Sequence, residues 1–350
     1  MQSRTVSIED FIALYKSKQY PLLDARSTSE YNRGHIPGAQ TLPLLDDEAR
    51  KTIGTIYKQQ GREAAVLKGF ELIGPEFHQK IIRASELAPE KNVMVYCWRG
   101  GMRSNILAWL LQMAGFRVVL LKGGYKTFRH WIIEQYSQAR NLLVLGGQTG
   151  SGKTEMLHLL KNAGEQIIDL EGIAHHKGSA FGALGQQPQF LQEHFENHIA
   201  WELSFTDSSL PLWIENESRH IGKNQIPNAL FEQIRTASKL TVNVDWETRA
   251  NRIMQEYGYF DIEILIEKTM DVERRMGPQH SKEAVGFLTV GDIRSWVDKM
   301  LTYYDKTYEH SGLSQENKKS ATVDFNWEDA ATGIRKMINR KRELEDGDKN

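Results

Sequence analysis

Two short stretches of this 350-residue chain bring together residue types that do chemistry. The first is Gly147-Gln148-Thr149-Gly150-Ser151-Gly152-Lys153-Thr154, which fits the pattern G-x-x-x-x-G-K-[ST]. Its glycines permit positive φ and close backbone approach, so loop N–H groups and the start of the next helix can converge on a diphosphate. Lys153 would neutralise the outer phosphate oxygens, and the Thr154 hydroxyl can hold Mg²⁺. What such a loop reports is a diphosphate; ATP is only the commonest molecule that carries one. A metal-side carboxylate is expected at the end of a neighbouring strand. Glu215, Glu217 and Asp169 are candidates, each equally readable as a helix cap or a solvated turn acid, and we pair Glu215 with Thr154. Arg249 and Arg252, three apart on one helix face, suit a phosphate clamp and equally a surface ion pair.

The second stretch surrounds the single cysteine, Cys97, in Cys97-Trp98-Arg99-Gly100-Gly101-Met102-Arg103-Ser104. An apolar strand ending in cysteine, then a Gly- and Arg-rich loop, then a helix N-terminus, gives N–H donors and two guanidinium groups, Arg99 and Arg103, around the sulfur. Such a cradle stabilises an anion on or beside a nucleophilic thiol. A buried inert cysteine is the bland alternative. With no second cysteine to resolve a disulfide, whatever Cys97 acquires must pass to another molecule. One cysteine also excludes an internal disulfide framework and a CxxC zinc or redox site.

Both stretches need strands and helices to aim them. At about 150 residues per domain the length predicts two domains. Residues 1–140 hold 20 Lys+Arg against 13 Asp+Glu, a net +7, whereas residues 141–350 hold 24 against 32, a net −8. The charge break near 140 is a candidate boundary. The expected fold is α/β throughout: a first α/β domain over 1–125, a connecting helix over 126–140, a P-loop α/β domain with a mostly parallel sheet over 141–335, and a charged, fraying tail over 336–350. Strands are expected at 21–25, 93–96, 118–121, 141–145, 166–170, 212–216 and 240–244. Helices are expected at 105–114 and 155–162, an insertion or helical excursion over 46–80, and a mainly helical stretch over 249–308. No apolar run approaches the ~18 residues of a membrane span, and the N-terminus carries no signal-like apolar core, so a cytoplasmic location is expected.

Weaker signals complete the reading. His194 and His198 lie four apart on a helix without the H-E-x-x-H pattern or a third ligand, which argues against zinc. His175 and His176, beside Lys177, Gly178 and Ser179, fall near the expected phosphate site or in a solvated loop. Between 117 and 140, Arg117, Lys122, Lys126, Arg129 and Arg140 face one acid, Glu134, with Tyr125, Phe128 and Trp131 interleaved. Lys122, Lys126, Arg129 and Trp131 are the candidate RNA contacts, through phosphates and base stacking; a buried aromatic stripe explains the aromatics equally well. The run 335–342 reads as a solvated helix end.

Leu22–Ala39 (LLDARSTSEYNRGHIPGA) and Tyr96–Ser104 (YCWRGGMRS) resemble the rhodanese homology domain, whose loop cysteine carries a persulfide or related chalcogen adduct. Five residues separate Cys97 from Arg103 where many rhodaneses have four; the roomier loop favours a bulkier anion such as a phosphate-bearing donor. A rhodanese-like domain fused to a P-loop domain, together with 169–182 (DLEGIAHHKGSAFG) and 214–222 (IENESRHIG), resembles the tRNA 2-selenouridine synthase family over nearly the whole chain. The resemblance implies an enzyme that converts 2-thiouridine at the wobble position of tRNAs for Lys, Glu and Gln to 2-selenouridine. It implies passage through an S-geranyl intermediate, with geranyl diphosphate and selenophosphate as substrates and no tightly bound cofactor. On that basis Cys97 carries selenium; Trp98, Arg99, Gly100, Gly101 and Arg103 form the anion loop; and an enzyme supplying selenophosphate is an expected partner. Two other readings stand beside it: an ATP-dependent persulfide sulfurtransferase or kinase acting on RNA, and a nucleotide-switched binding module with an inert rhodanese part.

Overall fold

The computed structural model describes residues 3–18, 20–310 and 319–346. The chain forms two compact units, Met1–Gln135 and Tyr136–Asn350, each built on a parallel sheet. In the first unit, β1 (Arg4–Val6), β2 (Leu22–Asp24), β3 (Ala39–Thr41), β4 (Asn92–Tyr96) and β5 (Arg117–Leu121) are arranged β1-β5-β4-β2-β3. The inner strands β2 and β4 are apolar runs buried on both faces, as helix-covered parallel strands must be. β1 and β3 went unread in the sequence because each is three residues long, partly polar, and at an edge. The excursion at 46–80 is helical: Asp47–Gln60, with Asp46 accepting from the Ala49 N–H at 2.7 Å as N-cap, is followed by Arg62–Ile73 and Phe77–Leu87. Helix Met102–Met113 runs from the cysteine loop back to β5, and helix Gly124–Ser137 follows β5.

The second unit orders its strands β12-β11-β6-β8-β7, all parallel: β6 (Leu142–Gly147), β7 (Gln166–Ile168), β8 (Leu212–Glu215), β11 (Ser238–Asn243) and β12 (Ser320–Asp324). A short antiparallel pair, β9 (His220–Ile221) with β10 (Asn224–Gln225), stands apart. The chain leaves β6 toward β7 on one side and reaches β11 on the other, so the carboxyl end of β6 is the switch point where open α/β sheets bind ligands. Helices Trp246–Tyr257, Ile262–Asp271, Glu273–Met276, Pro278–Thr289 and Ile293–His310 fill the stretch expected to be helical. They enclose an apolar cluster that includes Phe181, Tyr257, Leu265, Trp296, Val297 and Leu301.

Two expectations are corrected here. The charged segment from 336 does not fray over its described part: it is the second half of helix Ala330–Asp346. Met337 is fully buried and Lys341 donates to both Glu165 oxygens at 2.7 and 2.6 Å, so the apolar positions inside RKMINRKR anchor a helix to the core. Residues 347–350 of that expected tail lie outside the described residues. The aromatics at 125–131 are core: Tyr125 and Phe128 are fully buried and Trp131 is 8% exposed, stacked on Phe128 at 5.7 Å. Trp131 is therefore not an RNA-stacking surface, whereas Lys122 and Lys126 are exposed and Arg129 is half-buried.

Candidate functional site

β4 delivers Cys97 to the carboxyl edge of the first sheet, where the side chain is buried. Its Sγ lies 3.1 Å from Ser104 Oγ, in the first turn of helix Met102–Met113, and 4.0 Å from the Gly101 carbonyl. The loop is clamped from below by the start of helix Gly124–Ser137. The Tyr125 N–H donates to the Cys97 carbonyl at 2.8 Å, and the Lys126 N–H to the Trp98 carbonyl at 2.9 Å. Only glycine fits this clamp: a Cβ at Gly124 would lie 2.2 Å from the Cys97 carbonyl oxygen, and one at Gly100 2.8 Å from the Gly123 nitrogen. The Gly123-Gly124 pair after β5 was the available sequence signal for this second half of the loop.

Around the sulfur, Trp98 and Arg99 are exposed, and Gly100 and Gly101 form the turn into the helix. Arg103 is engaged by Glu30 at 2.5 and 3.2 Å. Burial pushes the Glu30 carboxyl up, but Arg103 outweighs it and holds the group below the usual carboxylate range. An anion taking Arg103 must compete with Glu30. Beneath the loop, Arg26 and Asp24 form a fully buried ion pair with contacts of 2.6–3.0 Å. Arg26 also donates to the Gly34 carbonyl at 2.7 Å and lies 3.8 Å over the Tyr125 ring, tying the stretch 22–39 to the cysteine loop.

In the second unit, β6 is followed by the glycine-rich loop, with Gly150 at φ +78° and Gly152 at φ +84°, and by helix Lys153–Asn162. Lys153 Nζ curls back onto the Gly147 carbonyl at 3.1 Å. Two outward bonds fix the loop carbonyls: Arg249 donates to Thr149 O at 3.1 Å, and the Trp327 indole N–H to Ser151 O at 3.0 Å. A nest of inward N–H groups requires carbonyls held away in this manner. Arg249 is thus not a phosphate clamp: it is buried and doubly bonded by Asp305 at 3.0 and 2.9 Å, and its role is to support the loop from behind. Arg252 does line the cavity beside the loop, stacked 3.9 Å over Trp327 and paired with Glu155 at 2.5 Å.

Thr154 Oγ1 lies within hydrogen-bond distance of Glu215 at 2.7 Å and Glu171 at 2.9 Å, so Thr154 and Glu215 meet and Glu171 joins them. Glu215 is fully buried at the end of β8, and its carboxyl stands well above the ordinary range through burial first and the Glu171, Asp169 and Glu217 charges next. Burial, then the Glu171 charge, raises Glu217 to about 8. Burial also raises Glu171, against the pull of Lys153. Asp169 is the cap that one reading allowed, accepting from the Gly172 N–H at 2.7 Å and facing His158 at 2.9 Å. Among the described residues no group of three His, Cys, Asp or Glu side chains is placed to hold a metal ion; His194 and His198 meet each other at 3.1 Å, His198 stacked on Phe190 and His194 edge-on to it.

A cavity of about 1270 Å³ opens over the loop. One part of its wall is polar: Gly150, Gly152, Lys153, Thr154, Glu171 and Glu217. Another part is aromatic and aliphatic, with Phe181, Tyr257, Trp296, Met300, Leu301 and Tyr304. The loop expected near the phosphate site is there, since His176, Lys177, Gly178 and Ser179 all line this cavity, while His175 turns away to the Pro188 carbonyl. The apolar wall was not legible beforehand, because its residues come from a turn at Phe181 and from two helices that supply Tyr257 and Trp296 to Tyr304, segments far apart in the chain.

Comparison with known proteins agrees with this division. Residues 7–130 match the model of the rhodanese-like domain, and residues 140–273 that of the tRNA 2-selenouridine synthase AAA domain. A tRNA 2-selenouridine synthase of Nitrosomonas europaea is 37% identical over 73% of this chain and 68% of its own. Those of Shewanella pealeana and Shewanella piezotolerans are each 33% identical over 87% of this chain and 91% of theirs. Among the described residues no helix is long and apolar enough to cross a membrane. With a buried thiol at the end of β4, a phosphate loop at the end of β6, and matches of this length, the chain belongs to the tRNA 2-selenouridine synthase family.

Proposed function

We propose that this protein converts 2-thiouridine at the wobble position of tRNAs for Lys, Glu and Gln to 2-selenouridine in two steps, using geranyl diphosphate and then selenophosphate. The observation that carries this reading is the mixed cavity: a diphosphate cradle continuous with a wall of Phe181, Tyr257, Trp296, Met300 and Leu301 fits a short prenyl diphosphate better than a nucleotide. In the first step the thiocarbonyl sulfur attacks C1 of the prenyl donor, the C–O bond breaks, diphosphate leaves, and the base loses its N3 proton. The loop N–H groups and Lys153 stabilise the charge that develops on the leaving oxygens. Thr154 and Glu215 offer the hard oxygen donors that Mg²⁺ takes; they would hold the ion, and it would neutralise diphosphate charge.

In the second step the selenium of selenophosphate, bound beside Cys97, adds to C2 of the base, and geranylthiolate leaves with the electron pair of the C–S bond and takes up a proton; water then cleaves the Se–P bond, releasing phosphate and leaving the C2 selenocarbonyl. S-alkylation is what makes this possible, since a thiocarbonyl sulfur is a poor leaving group. Arg99 offers an exposed guanidinium for the anionic donor, and Arg103 follows once released from Glu30. The donor would come from a selenophosphate-forming enzyme. The test is mass spectrometry of nucleosides after incubating 2-thiouridine tRNA with the protein, Mg²⁺, geranyl diphosphate and selenophosphate. S-geranyl and seleno products are expected; the absence of both, or turnover that depends on ATP, overturns the reading.

A further inference from the structure

The two motif segments 169–182 and 214–222 each end on glycine, and both glycines close on one side chain. A Cβ at Gly182 would stand 2.7 Å from His176 Cε1 and 2.8 Å from its Nδ1; one at Gly222 would stand 2.6 Å from its Cδ2. The imidazole therefore occupies a slot that exists only because both flanks lack side chains. It is 8% exposed, it lines the cavity over the phosphate loop, and its Nδ1 is buried with no hydrogen-bond partner. The His176 N–H donates to the Glu171 carbonyl at 3.1 Å, and the Glu171 side chain in turn contacts Thr154, so the slot adjoins the diphosphate end.

The orphaned Nδ1 decides what this ring can do. A proton there would be a buried donor without an acceptor, which is rarer and less tolerated than an unsatisfied lone pair. The ring is then the Nε2–H tautomer, and Nε2 is the nitrogen left to meet a ligand. We propose that His176 is a hydrogen-bond donor to the diphosphate of the substrate in this cavity, presenting Nε2–H from the twin-glycine slot; this rests on the prenyl-diphosphate reading above. Burial lowers the pKa of His176, in keeping with a neutral donor. A neutral N–H stabilises the departing diphosphate without the desolvation cost of another buried cation.

The probe is inorganic diphosphate with Mg²⁺, titrated calorimetrically into the full chain. H176F, which keeps a ring but no N–H, should bind about tenfold more weakly, whereas H176Q, whose amide N–H sits near the Nε2 position, should stay within about threefold of wild type. The ¹⁵N spectrum of histidine-labelled protein in the diphosphate complex should show the Nε2–H tautomer. Equal affinity of H176F and wild type, or an Nδ1–H or imidazolium signal for His176, overturns the proposal. Should H176F fail to fold, G182A carries the same test, because it crowds the ring and leaves the imidazole chemically intact. If wild type binds diphosphate and H176F weakens it but no geranyl transfer occurs, the functional reading fails and the role of His176 stands. If K153A removes binding while H176F does not, the reverse holds; no diphosphate binding by wild type overturns both.

Discussion

Two buried carboxyls, Glu215 and Glu217, beside one phosphate loop should write a distinctive pH dependence into stability. Glu217 is raised from its ordinary value near 4.5 to about 8 by burial and by Glu171. A raised carboxyl binds its proton more tightly folded than unfolded, so its contribution is fully present below about pH 4.5 and is lost as pH rises through about 8. At about 1.4 kcal/mol per tenfold in proton affinity, the span from 4.5 to about 8 corresponds to a loss on the order of 5 kcal/mol. Glu217→Gln keeps the shape and hydrogen-bonding capacity of the protonated acid and removes its titration. In urea denaturation with EDTA present, the variant should match wild type near pH 5 and exceed it by several kcal/mol near pH 8.5. A separation that stays constant to within about 1 kcal/mol across this range would refute the assignment of Glu217 as a buried, protonated acid.

Other outcomes follow from the same geometry. Arg26→Ala leaves Asp24 buried without its cation and should cost roughly 3–5 kcal/mol in chemical denaturation; a loss under about 1 kcal/mol would mean that solvent reaches the pair. Lys153→Ala should abolish geranyl transfer while leaving selenation of pre-geranylated tRNA partly intact, and parallel loss of both would indicate one shared site. Cys97→Ala should stop selenation but not geranylation in the nucleoside assay, so full selenation by this variant would remove Cys97 from the mechanism. Binding of tRNA should weaken steeply with salt and depend on Lys122 and Lys126, which charge-reversal variants in a filter-binding titration would check.

Where the sequence was legible, one residue type dictated the local geometry. The glycines of 147–152 demand a loop that a buried strand must feed, and NLLVL before it and EMLHLL after it left little freedom. Cys97 was placed for the same reason, by an apolar strand with glycines behind it. What stayed hidden depended on partners distant in sequence. Arg249 has the type and spacing of a phosphate clamp, and only Asp305, 56 residues on, turns it into a loop support. Trp131 has the type of a stacking residue, and only its packing on Phe128 makes it core. The strand β12 and the helix after it were hard to read because high local charge masks the spacing of Val323, Ile334 and Met337, which are buried in the core.

The division of charge along the chain takes on a different meaning once the side chains are placed. An acidic half that would bind a diphosphate on the proposed reading looks contradictory, yet the acids nearest the loop, Glu171, Glu215 and Glu217, all have carboxyls raised above the ordinary range by burial. Their raised carboxyls lessen the opposition to an anion, and Lys153 and Arg252 are the cations that line the cavity beside the loop. Even these are occupied, Lys153 by its own loop carbonyl and Arg252 by Glu155. The first unit repeats the arrangement, with Arg103 held by Glu30 beside Cys97. In both units the cation is kept on an internal acceptor that, on the proposed reading, an incoming phosphate would displace, so anion binding would trade one set of contacts for another and desolvate no bare charge. On that reading selectivity would rest with whatever the anion carries: an apolar chain long enough to reach Trp296 in one site, a transferable chalcogen in the other.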